Sequence, residues 1–475
     1  MSRKSAISPY LIAALLIAWA LLTIKIGDAW FGHQDANGAW ISVAVRNYQL
    51  HGFFQQDGLV NISTGFDSPM EPYTHHPPLI VWLETPLVLL FGYDEALIRF
   101  VAASCTLIGA AALYVLARRL KGRIFAFWST AFYVFTPMIA YFGRMPDHEA
   151  PALMFSLLFA AVLIDWLRRP TRRKWWALVV LTVLVAWTAW GGLIMIGILT
   201  LAALFFTRRR VALIMLGVVA FGAVIAVLGY FEVFSHDAIP DLINAFVWRT
   251  STSSLEPGAI NFTAGEYVLR IVVRLVTLYT PSICVLMLIG AALVLRQRGL
   301  LRTMLLAFVA AGVGYALLFR NASYIHDYYL LYLAPALGLL AGGAVVLLPK
   351  RSRWLRPLVA SLVLVTLPAT LYYLNDIYRS SDATLPLSFA QVVHDQTAPD
   401  DLIISNLPNI GDALEFYAER TIAWGEPYSD ALEAATLFKG ATYYLHCDSY
   451  ANLPDNVVRL AEVEISPQCY LTRLR

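Results

Sequence analysis

The sequence predicts a mostly α-helical, polytopic membrane protein with interfacial helices in its first outer loop and a small α/β domain at its C-terminal end. Of its 475 residues, 59% are hydrophobic and only 14% are charged, whereas soluble domains carry about 25% charged residues. Uncharged apolar runs of about 17–25 residues recur along the chain, and this length suits a helix that crosses a bilayer. The net charge of +3 is small, which argues against nucleic acid as a partner.

About eleven membrane spans are predicted, and the connections between them divide by charge. The spans lie at about 10–27, 96–117, 124–142, 150–167, 175–190, 192–206, 211–231, 271–295, 303–319, 328–348 and 356–374. The short connections on one side hold 21 of the 35 Lys and Arg residues. By the positive-inside rule this side is cytoplasmic. We therefore expect a multi-pass protein of the cytoplasmic (inner) membrane, with its N-terminus inside and its C-terminal domain outside.

Two apolar segments allow more than one interpretation. The run from Tyr10 to Ile26 could be a signal peptide, but its apolar core is long and no small-x-small cleavage site precedes Gly27. An uncleaved first span is therefore expected. The run at 75–92 contains Glu84 and three prolines, and counting it as a span would place a basic loop outside. We predict that it is an interfacial helix on the outer surface.

The topology divides the chain into two predicted domains, 1–375 in the membrane and 376–475 as a soluble extracytoplasmic α/β domain. In the domain at 376–475, runs with strand composition alternate with runs of helix composition. The first carries an outer loop at about 28–95 and a long outer loop at about 232–270. All nine His residues lie outside or at outer span ends, so chemistry is expected there. Because nucleotide sugars and ATP are not normally available outside, a lipid-linked substrate fits best.

The C-terminal domain contains two of the four cysteines, Cys447 and Cys469. An oxidising compartment would allow these two residues to form a disulfide. Cys105 and Cys284 fall in predicted spans, where cysteine behaves as a small buried apolar residue.

Two outer segments carry acidic residues that could have a structural or a catalytic role. Asp35 opens the amphipathic stretch "ANGAWISVAVRNYQLHG", and it is interpreted equally well as a helix N-cap or as a base aimed at a substrate. The short loop "GRMPDHEAP" holds Arg144, Asp147, His148 and Glu149. Snorkelling and capping would explain one or two of these charges. The density of the whole cluster favours a site.

A third outer segment, "RNASYIHDYYLLYLAP", combines cations with tyrosines. Tyr328 and Tyr329 could belong to an interfacial aromatic belt. Arg320 and His326, at the same level, could instead hold a phosphate at the membrane surface. Arg99 lies near the outer end of another span, where an arginine often only snorkels.

Taken together and in order, these segments resemble the polyprenyl-phosphate-sugar-dependent GT-C glycosyltransferases, the group that contains protein O-mannosyltransferases and lipid A aminoarabinose transferase. "QDANGAW" matches the acidic motif of their first outer loop, with Ala36 in place of its Glu. "HHPPL" matches their Lys-Pro-Pro-Leu or His-Pro-Pro-Leu motif. His75 and His76 there stand where the aminoarabinose transferase has Glu and Lys. "GRMPD" and "HDYYLLYLAP" match two later motifs.

The resemblance implies inverting transfer of a single hexosyl or pentosyl unit from polyprenyl phosphate to the hydroxyl of a glycolipid, glycan or protein at the bilayer surface. Asp35 would be the catalytic base, and Asp147 would assist by orienting the acceptor or a metal. The expected donor-phosphate ligands are His76, Arg99, Arg320, His326, Tyr328 and Tyr329. The expected acceptor- or substrate-binding residues are His33, His75, Arg144, His148 and Glu149.

No cofactor is required by the sequence, and a divalent metal is left open. His75, Asp147 and His236 could supply ligands. However, their spacing is not the compact spacing typical of a metal motif. The identity of the metal ligands therefore stays unknown at this stage.

Three other functions are weighed against this transfer. A transporter or flippase of a polyprenyl-linked sugar would place charges in mid-span and show repeats or broken spans, and the predicted spans are nearly free of charge. An oligosaccharyltransferase would share the architecture, but no WWD-like signature occurs in the C-terminal domain. A scaffold subunit would have the same spans and no activity.

Overall fold

The computed structural model describes residues 9–64, 70–235, 237–251, 261–349, 352–379, 384–405, 407, 411–424, 442–447, 459–466 and 469–474. These residues form two compact units. The first unit comprises the chain through Ile26, Thr74–Leu83 and Arg99–Asp376. The second comprises Gly27–Tyr73, Glu84–Ile98 and the chain from Ile377 onward. The predicted boundary between residues 375 and 376 stays a prediction.

The described residues are predominantly helical. The α-helices are α1 (Pro9–Leu22), α2 (Ala36–His51), α3 (Leu79–Phe91), α4 (Glu95–Lys121), α5 (Arg123–Val134), α6 (Glu149–Arg168), α7 (Arg172–Ala186), α8 (Trp190–Ala203), α9 (Arg210–Phe234), α10 (Ala238–Thr250), α11 (Ala264–Tyr279), α12 (Pro281–Leu295), α13 (Leu300–Leu318), α14 (Arg320–Ile325), α15 (Ala334–Leu347), α16 (Leu355–Arg379), α17 (Thr384–Gln396) and α18 (Gly411–Ala418). A π-helical turn at Met138–Phe142 and 3-10 turns at Leu204–Phe206 and Asp327–Leu333 complete the helical elements of the described chain.

Among the described residues, six helical segments are long and apolar enough to cross a membrane. They are α4, α6, α9, α13, Asp327–Leu347 and α16, and each overlaps a predicted span. Four other predicted spans correspond to α1, α5, α7 and α8, which have 14, 12, 15 and 14 residues. The full set of about eleven spans therefore stays a prediction.

The predicted single span at 271–295 is wrong as one straight helix. Here α11 and α12 meet at an angle of 104°, and Thr280 between them adopts φ 64° and ψ 147°. Pro281 explains the break, because a proline lacks the N–H that would continue the helix and disfavours helical backbone in the residue before it. The Thr280 side chain then accepts a hydrogen bond from Ile283 N and so begins α12.

The first unit is held together by close helix packing. A Cβ atom added to Gly290 of α12 would lie 1.8 Å from the carbonyl oxygen of Leu340 on α15. Only glycine allows the two backbones to approach so closely, as small residues do between membrane helices. Phe132 of α5 and Ile283 and Leu286 of α12 join the same buried cluster. These helices form a frame that carries the segments described below.

The second unit contains a five-stranded sheet. Its strands are β1 (Ile403–Ser405), β2 (Ile422–Trp424), β3 (Tyr443–Cys447), β4 (Arg459–Ser466) and β5 (Cys469–Leu474). Their order is β2-β1-β3-β5-β4, with β1 parallel to β2 and β3, and β5 antiparallel to β3 and β4. Apolar residues of α17, α18 and the sheet form its core. The helix predicted from "SDALEAATLF" lies outside the described residues.

The predicted disulfide is present. Cys447 on β3 and Cys469 on β5 are directly paired across the antiparallel ladder, and their sulfurs are bonded. Cys105 and Cys284 are free thiols, and Cys105 is buried as expected.

Candidate active site

A group of buried and half-buried polar residues in the first unit comes from four segments that are distant in sequence. His75 and His76 precede α3, and Asp147, His148 and Glu149 lie at the start of α6. Arg249 lies in the last turn of α10. His326, Tyr328 and Tyr329 lie at the start of the 3-10 turn Asp327–Leu333. The structure thus brings together, within one unit, eight residues that the sequence pointed to and one that it did not.

Asp147 and His148 form a tight buried pair. Asp147 Oδ1 lies 2.8 Å from His148 Nδ1 and accepts a hydrogen bond from the His148 backbone N–H at 2.7 Å. Their side chains are 7% and 2% exposed. Burial acts to raise the pKa of Asp147, but the hydrogen bonds and attraction of His148 outweigh it and hold that pKa below its ordinary value. Asp147 is therefore kept as a carboxylate.

His76 packs face to face on His148. The ring centroids are 4.6 Å apart with an interplanar angle of 23°. Burial lowers the pKa of His76 well below its ordinary value, and His148, Arg249 and His75 lower it further. His76 is thus a neutral imidazole in this structure. A neutral ring can still donate one N–H to an anion.

Arg249 is the residue of this group that the sequence analysis missed. Its Nε donates a hydrogen bond to the Tyr329 hydroxyl at 3.2 Å. Its positive charge also lowers the pKa of His75 and His76, after the larger effect of their burial. The long outer loop offers no motif that marks it. The available signal was the amphipathic stretch "DLINAFVWRT", in which Leu242, Phe246 and Arg249 recur at helical spacing.

His326 is half-buried beside the tyrosines of the "HDYY" segment. Its ring stacks on Tyr328 at 5.2 Å and on Tyr329 at 6.1 Å between centroids. Burial lowers the pKa of His326 to about 4, despite an opposing attraction from Asp147. His326 is therefore neutral at physiological pH, so it can act as a hydrogen-bonding group and not as a standing positive charge.

A cavity of about 390 Å³ opens beside this polar group. Four polar side chains that lie on its wall are His75, His76, Arg249 and Tyr329. The other lining residues, from α8, α9, α10 and α13, are Trp190, Ile194, Val224, Leu228, Leu242, Ile243, Phe246, Tyr315, Leu318 and Phe319. Arg249 bonds to Tyr329, and its charge acts on both histidines. We call this cavity the groove; it suits a ligand with a long apolar body and an anionic group.

Asp35 lies in the second unit, immediately before α2, and is 7% exposed. Its side chain makes no capping hydrogen bond to the helix, so the interpretation of Asp35 as a side-chain cap is wrong. The backbone explains this, since φ −71° and ψ −6° are helical, whereas a capping residue is typically extended. Instead, Asp35 Oδ2 accepts a hydrogen bond from Gly32 N at 3.1 Å. His33 lies half-buried in the same loop.

Comparisons with known proteins show which proteins this chain is similar to. The family model described as dolichyl-phosphate-mannose-protein mannosyltransferase matches residues 75–231. ArnT from Cupriavidus metallidurans, in a crystal structure with undecaprenyl phosphate, has a TM-score of 0.67 and 14% sequence identity over 98% of each chain. The chain shares its fold with these GT-C glycosyltransferases. The resemblance predicted from the sequence is confirmed at this level.

Two further solved structures share the GT-C fold with this chain. The archaeal oligosaccharyltransferase AglB from Archaeoglobus fulgidus, in complex with an inhibitory peptide and a dolichol-phosphate, matches with a TM-score of 0.64 and 12% identity, over 93% of this chain and 69% of AglB. The arabinofuranosyltransferase AftD from Mycobacteria matches with a TM-score of 0.54 and 14% identity, over 99% of this chain and 42% of AftD. No curated protein matches the chain in sequence.

Three arginines that the sequence placed in the site make contacts outside the groove. Arg99 is 1% exposed and donates to the Ile26 carbonyl at 2.9 Å. Arg144 is buried and donates to the Ile24 carbonyl. Arg320 is exposed and reaches the Thr250 carbonyl at 3.4 Å. None of the three is among the groove residues, where Arg249 supplies the cation.

Among the described residues, one compact set of side chains could hold a metal ion. Asp147, His148 and Glu149 each offer one ligand atom, and these atoms lie within 4.8 Å of one another. Two carboxylates and an imidazole fit a divalent ion such as Mn²⁺ or Zn²⁺. The combination suggested by the sequence shares Asp147 with this set, and its His236 lies outside the described residues. Further ligands would come from substrate oxygens or water.

Proposed function

We propose that the protein is a membrane glycosyltransferase that moves a single sugar from polyprenyl phosphate to an acceptor hydroxyl on the outer face of the cytoplasmic membrane. The observation that carries this proposal is the groove, whose hydrocarbon wall is interrupted by Arg249, His75, His76 and Tyr329. An isoprenoid chain suits the apolar wall, and a phosphate suits the guanidinium. The likeness to ArnT with bound undecaprenyl phosphate supports the same donor class.

In the proposed reaction, the acceptor hydroxyl attacks the anomeric carbon from the face opposite the phosphate. Asp35 takes the hydroxyl proton as the new C–O bond forms, and the bond between the anomeric carbon and the phosphate oxygen breaks. The polyprenyl phosphate leaves with the electron pair and with increased negative charge. Arg249 would stabilise that charge, with hydrogen bonds from His75, His76 and Tyr329. The configuration at the anomeric carbon is inverted.

The buried Asp147–His148 pair is assigned to orientation of the substrates in this reaction. A divalent ion held by Asp147, His148 and Glu149 would supply Lewis-acid stabilisation of substrate oxygens when bound. In its absence, the Asp147 carboxylate can accept hydrogen bonds from sugar hydroxyls. The acceptor class, whether glycolipid, glycan or protein, is left to the experiment.

The proposal is tested by lipid analysis of a strain that lacks the gene. We expect a polyprenyl-phosphate sugar to accumulate and one glycoconjugate to lose a single sugar. The purified protein should then release polyprenyl phosphate from the accumulated lipid when membranes of the same strain supply the acceptor. An unchanged lipid profile, with no release from any extracted lipid, would exclude the proposed transfer.

The likeness to AglB keeps oligosaccharyl transfer as a second candidate. The same lipid extract distinguishes the two, because an oligosaccharyltransferase substrate carries several sugars on its lipid. Mass spectrometry of the accumulated lipid that shows one sugar on one phosphate supports the first candidate. A multi-sugar lipid supports the second.

A further inference from the structure

Tyr417 of α18 connects segments of the second unit that are far apart in sequence. Its hydroxyl donates a hydrogen bond to Glu95 Oε1 at 2.7 Å and accepts one from Trp30 N at 3.0 Å. Its ring stacks on Phe31, with centroids 5.4 Å apart and an interplanar angle of 26°. The Tyr417 hydroxyl thus donates its single proton to Glu95 and accepts the Trp30 N–H with an oxygen lone pair. Tyr417 therefore fixes the chain at Trp30 and Phe31.

Trp30, which Tyr417 holds, packs against the start of α2. The Trp30 side chain is 1% exposed, and its Nε1 donates to the Tyr93 hydroxyl at 2.6 Å. The indole lies against Gly38, where an added Cβ would come within 2.1 Å of the ring. Gly38 is in the first turn of α2, three residues after Asp35. The position of Trp30 therefore sets where α2 begins and where the Asp35 carboxylate is held.

A second contact links α18 to the middle of α2. Arg46 donates a hydrogen bond from Nη1 to the Phe416 carbonyl at 3.0 Å, and its guanidinium lies 5.1 Å from the centre of the Phe416 ring. Arg46 also approaches Glu419 at 3.5 Å. That carboxylate is 58% exposed, so the ion pair contributes less than the hydrogen bond. The chain just before Asp35 and the middle of α2 after it are thus both attached to α18, a short helix of the C-terminal part of the chain.

We propose that Tyr417 is a positioning residue for Asp35, and that this is a function of the C-terminal part of the protein. This inference rests on the proposed function, because it requires Asp35 to be the base. A base must be held within a fraction of an ångström of its working position, and a misplacement of about 1 Å can cost a hundredfold in rate. The α18 contacts supply that constraint from residues that do not bind the donor.

The first test is Tyr417→Phe, which keeps the stacked ring and removes both hydrogen bonds. With the lipid extracted from the deletion strain as donor, we expect kcat to fall about tenfold. The KM for that lipid should stay within about threefold of wild type, because the groove residues belong to other segments. Tyr443→Phe is the matched control, since Tyr443 lies on β3 of the same unit and makes none of these contacts. A wild-type kcat in Tyr417→Phe would overturn the proposal.

A double-mutant cycle separates positioning from a general loss of structure. If Tyr417 acts through Asp35, Tyr417→Phe should cause no further loss of kcat in an Asp35→Asn background. A further tenfold loss there would overturn the proposal. Activity of Asp35→Asn alone within a few-fold of wild type would remove the proposed base, and the positioning role with it. A dead Asp35→Asn combined with a fully active Tyr417→Phe would remove only the positioning role.

Glu95 provides a second variant in case Tyr417→Phe folds poorly. Glu95→Gln keeps an oxygen that can accept from the Tyr417 hydroxyl, and it should retain nearly full kcat. Glu95→Leu removes that acceptor and should reproduce the tenfold loss. Binding of undecaprenyl phosphate, measured for each variant, reports whether the first unit is intact. Equal kcat in Glu95→Gln and Glu95→Leu, with binding retained, would contradict the proposal.

Discussion

Arg249 and Tyr329 are joined by a hydrogen bond of 3.2 Å, from a guanidinium nitrogen to a phenol, on the wall of the apolar groove. The contact connects α10 to the 3-10 turn Asp327–Leu333. It holds a permanent cation on the same wall as His75 and His76, and most of the other lining residues are apolar. A lipid phosphate placed there gains charge-assisted hydrogen bonds in surroundings of low dielectric constant.

Arg249→Gln should weaken the binding of undecaprenyl phosphate at least tenfold. The substitution keeps a side chain that can reach Tyr329 but removes the charge, and a hydrogen bond to a charged group is worth about 1.5–3 kcal/mol. Arg320→Gln is the matched control, because Arg320 is exposed and does not line the groove. Native mass spectrometry with increasing concentrations of undecaprenyl phosphate measures the binding by both variants. A larger loss in Arg320→Gln would favour the assignment made from the sequence.

Filling the groove should block long donors selectively. Val224 lines it from α9, and Val224→Trp would occupy the space of several isoprenoid carbons. We expect binding of undecaprenyl phosphate to be lost, while inorganic phosphate at high concentration still binds at the Arg249 region. Val218→Trp, on the same helix at a position that is 55% exposed, should bind the lipid normally. Unchanged binding in Val224→Trp would show that the chain lies elsewhere.

Asp35→Asn should reduce kcat about a hundredfold or more, which is the usual scale for a lost acid–base group. The amide retains an oxygen that can accept from Gly32 N, so the loop should keep its shape. Asp57→Asn is the control, because Asp57 is an exposed carboxylate of the same unit. Binding of undecaprenyl phosphate should be unaffected in both variants. Near-normal turnover in Asp35→Asn would leave Asp147 as the next candidate.

Cys447→Ser should destabilise the sheet of the second unit. The disulfide closes a loop with a sequence separation of 22, and the chain-entropy model gives about 3 kcal/mol for a loop of this size. Addition of reductant should lower the unfolding temperature of the wild-type protein and leave that of Cys447→Ser unchanged. Cys284→Ser, at a free thiol, should behave like wild type. Free thiols at both 447 and 469 in unreduced peptides would contradict the bond.

Glu415→Gln should flatten the dependence of stability on pH. Burial raises the pKa of Glu415 to about 8, and repulsion from Asp412 and Glu71 adds to the effect. The folded state therefore keeps a proton that the unfolded chain releases above about pH 4.3. Between these values the folded state binds more protons, so stability falls as pH rises towards 8. Melting temperatures at pH 5 and pH 8 should differ less in Glu415→Gln, and an unchanged difference would contradict the assignment.

The long apolar helices could be predicted from the sequence because length and hydropathy alone determine them. The six segments that meet both criteria, among them α4 and α9, overlap predicted spans. The bend at Thr280 was missed because the prediction used only length and hydropathy. A hydropathy window averages over Pro281, although that single residue decides where α11 ends.

The site was predictable where a motif existed. His76, Asp147 and His326 each lie in a short motif, and the structure places them in one unit. Arg249 carries no motif, and its role depends on how α10 packs against α14 and the turn containing Tyr329. Likewise, nothing in the sequence near Tyr417 indicates that its hydroxyl meets Trp30. Such contacts follow from the tertiary fold and not from local pattern.

The hydrogen bond between Trp30 and Tyr417 spans 387 positions of the chain. During synthesis the Asp35 loop emerges early, whereas the helix that holds it emerges only after all six long apolar helices have been made. If the α18 contacts are needed for turnover, a nascent or truncated chain could occupy the membrane and bind lipid but could not yet transfer sugar. Synthesis of α18 would then turn on the proposed transfer.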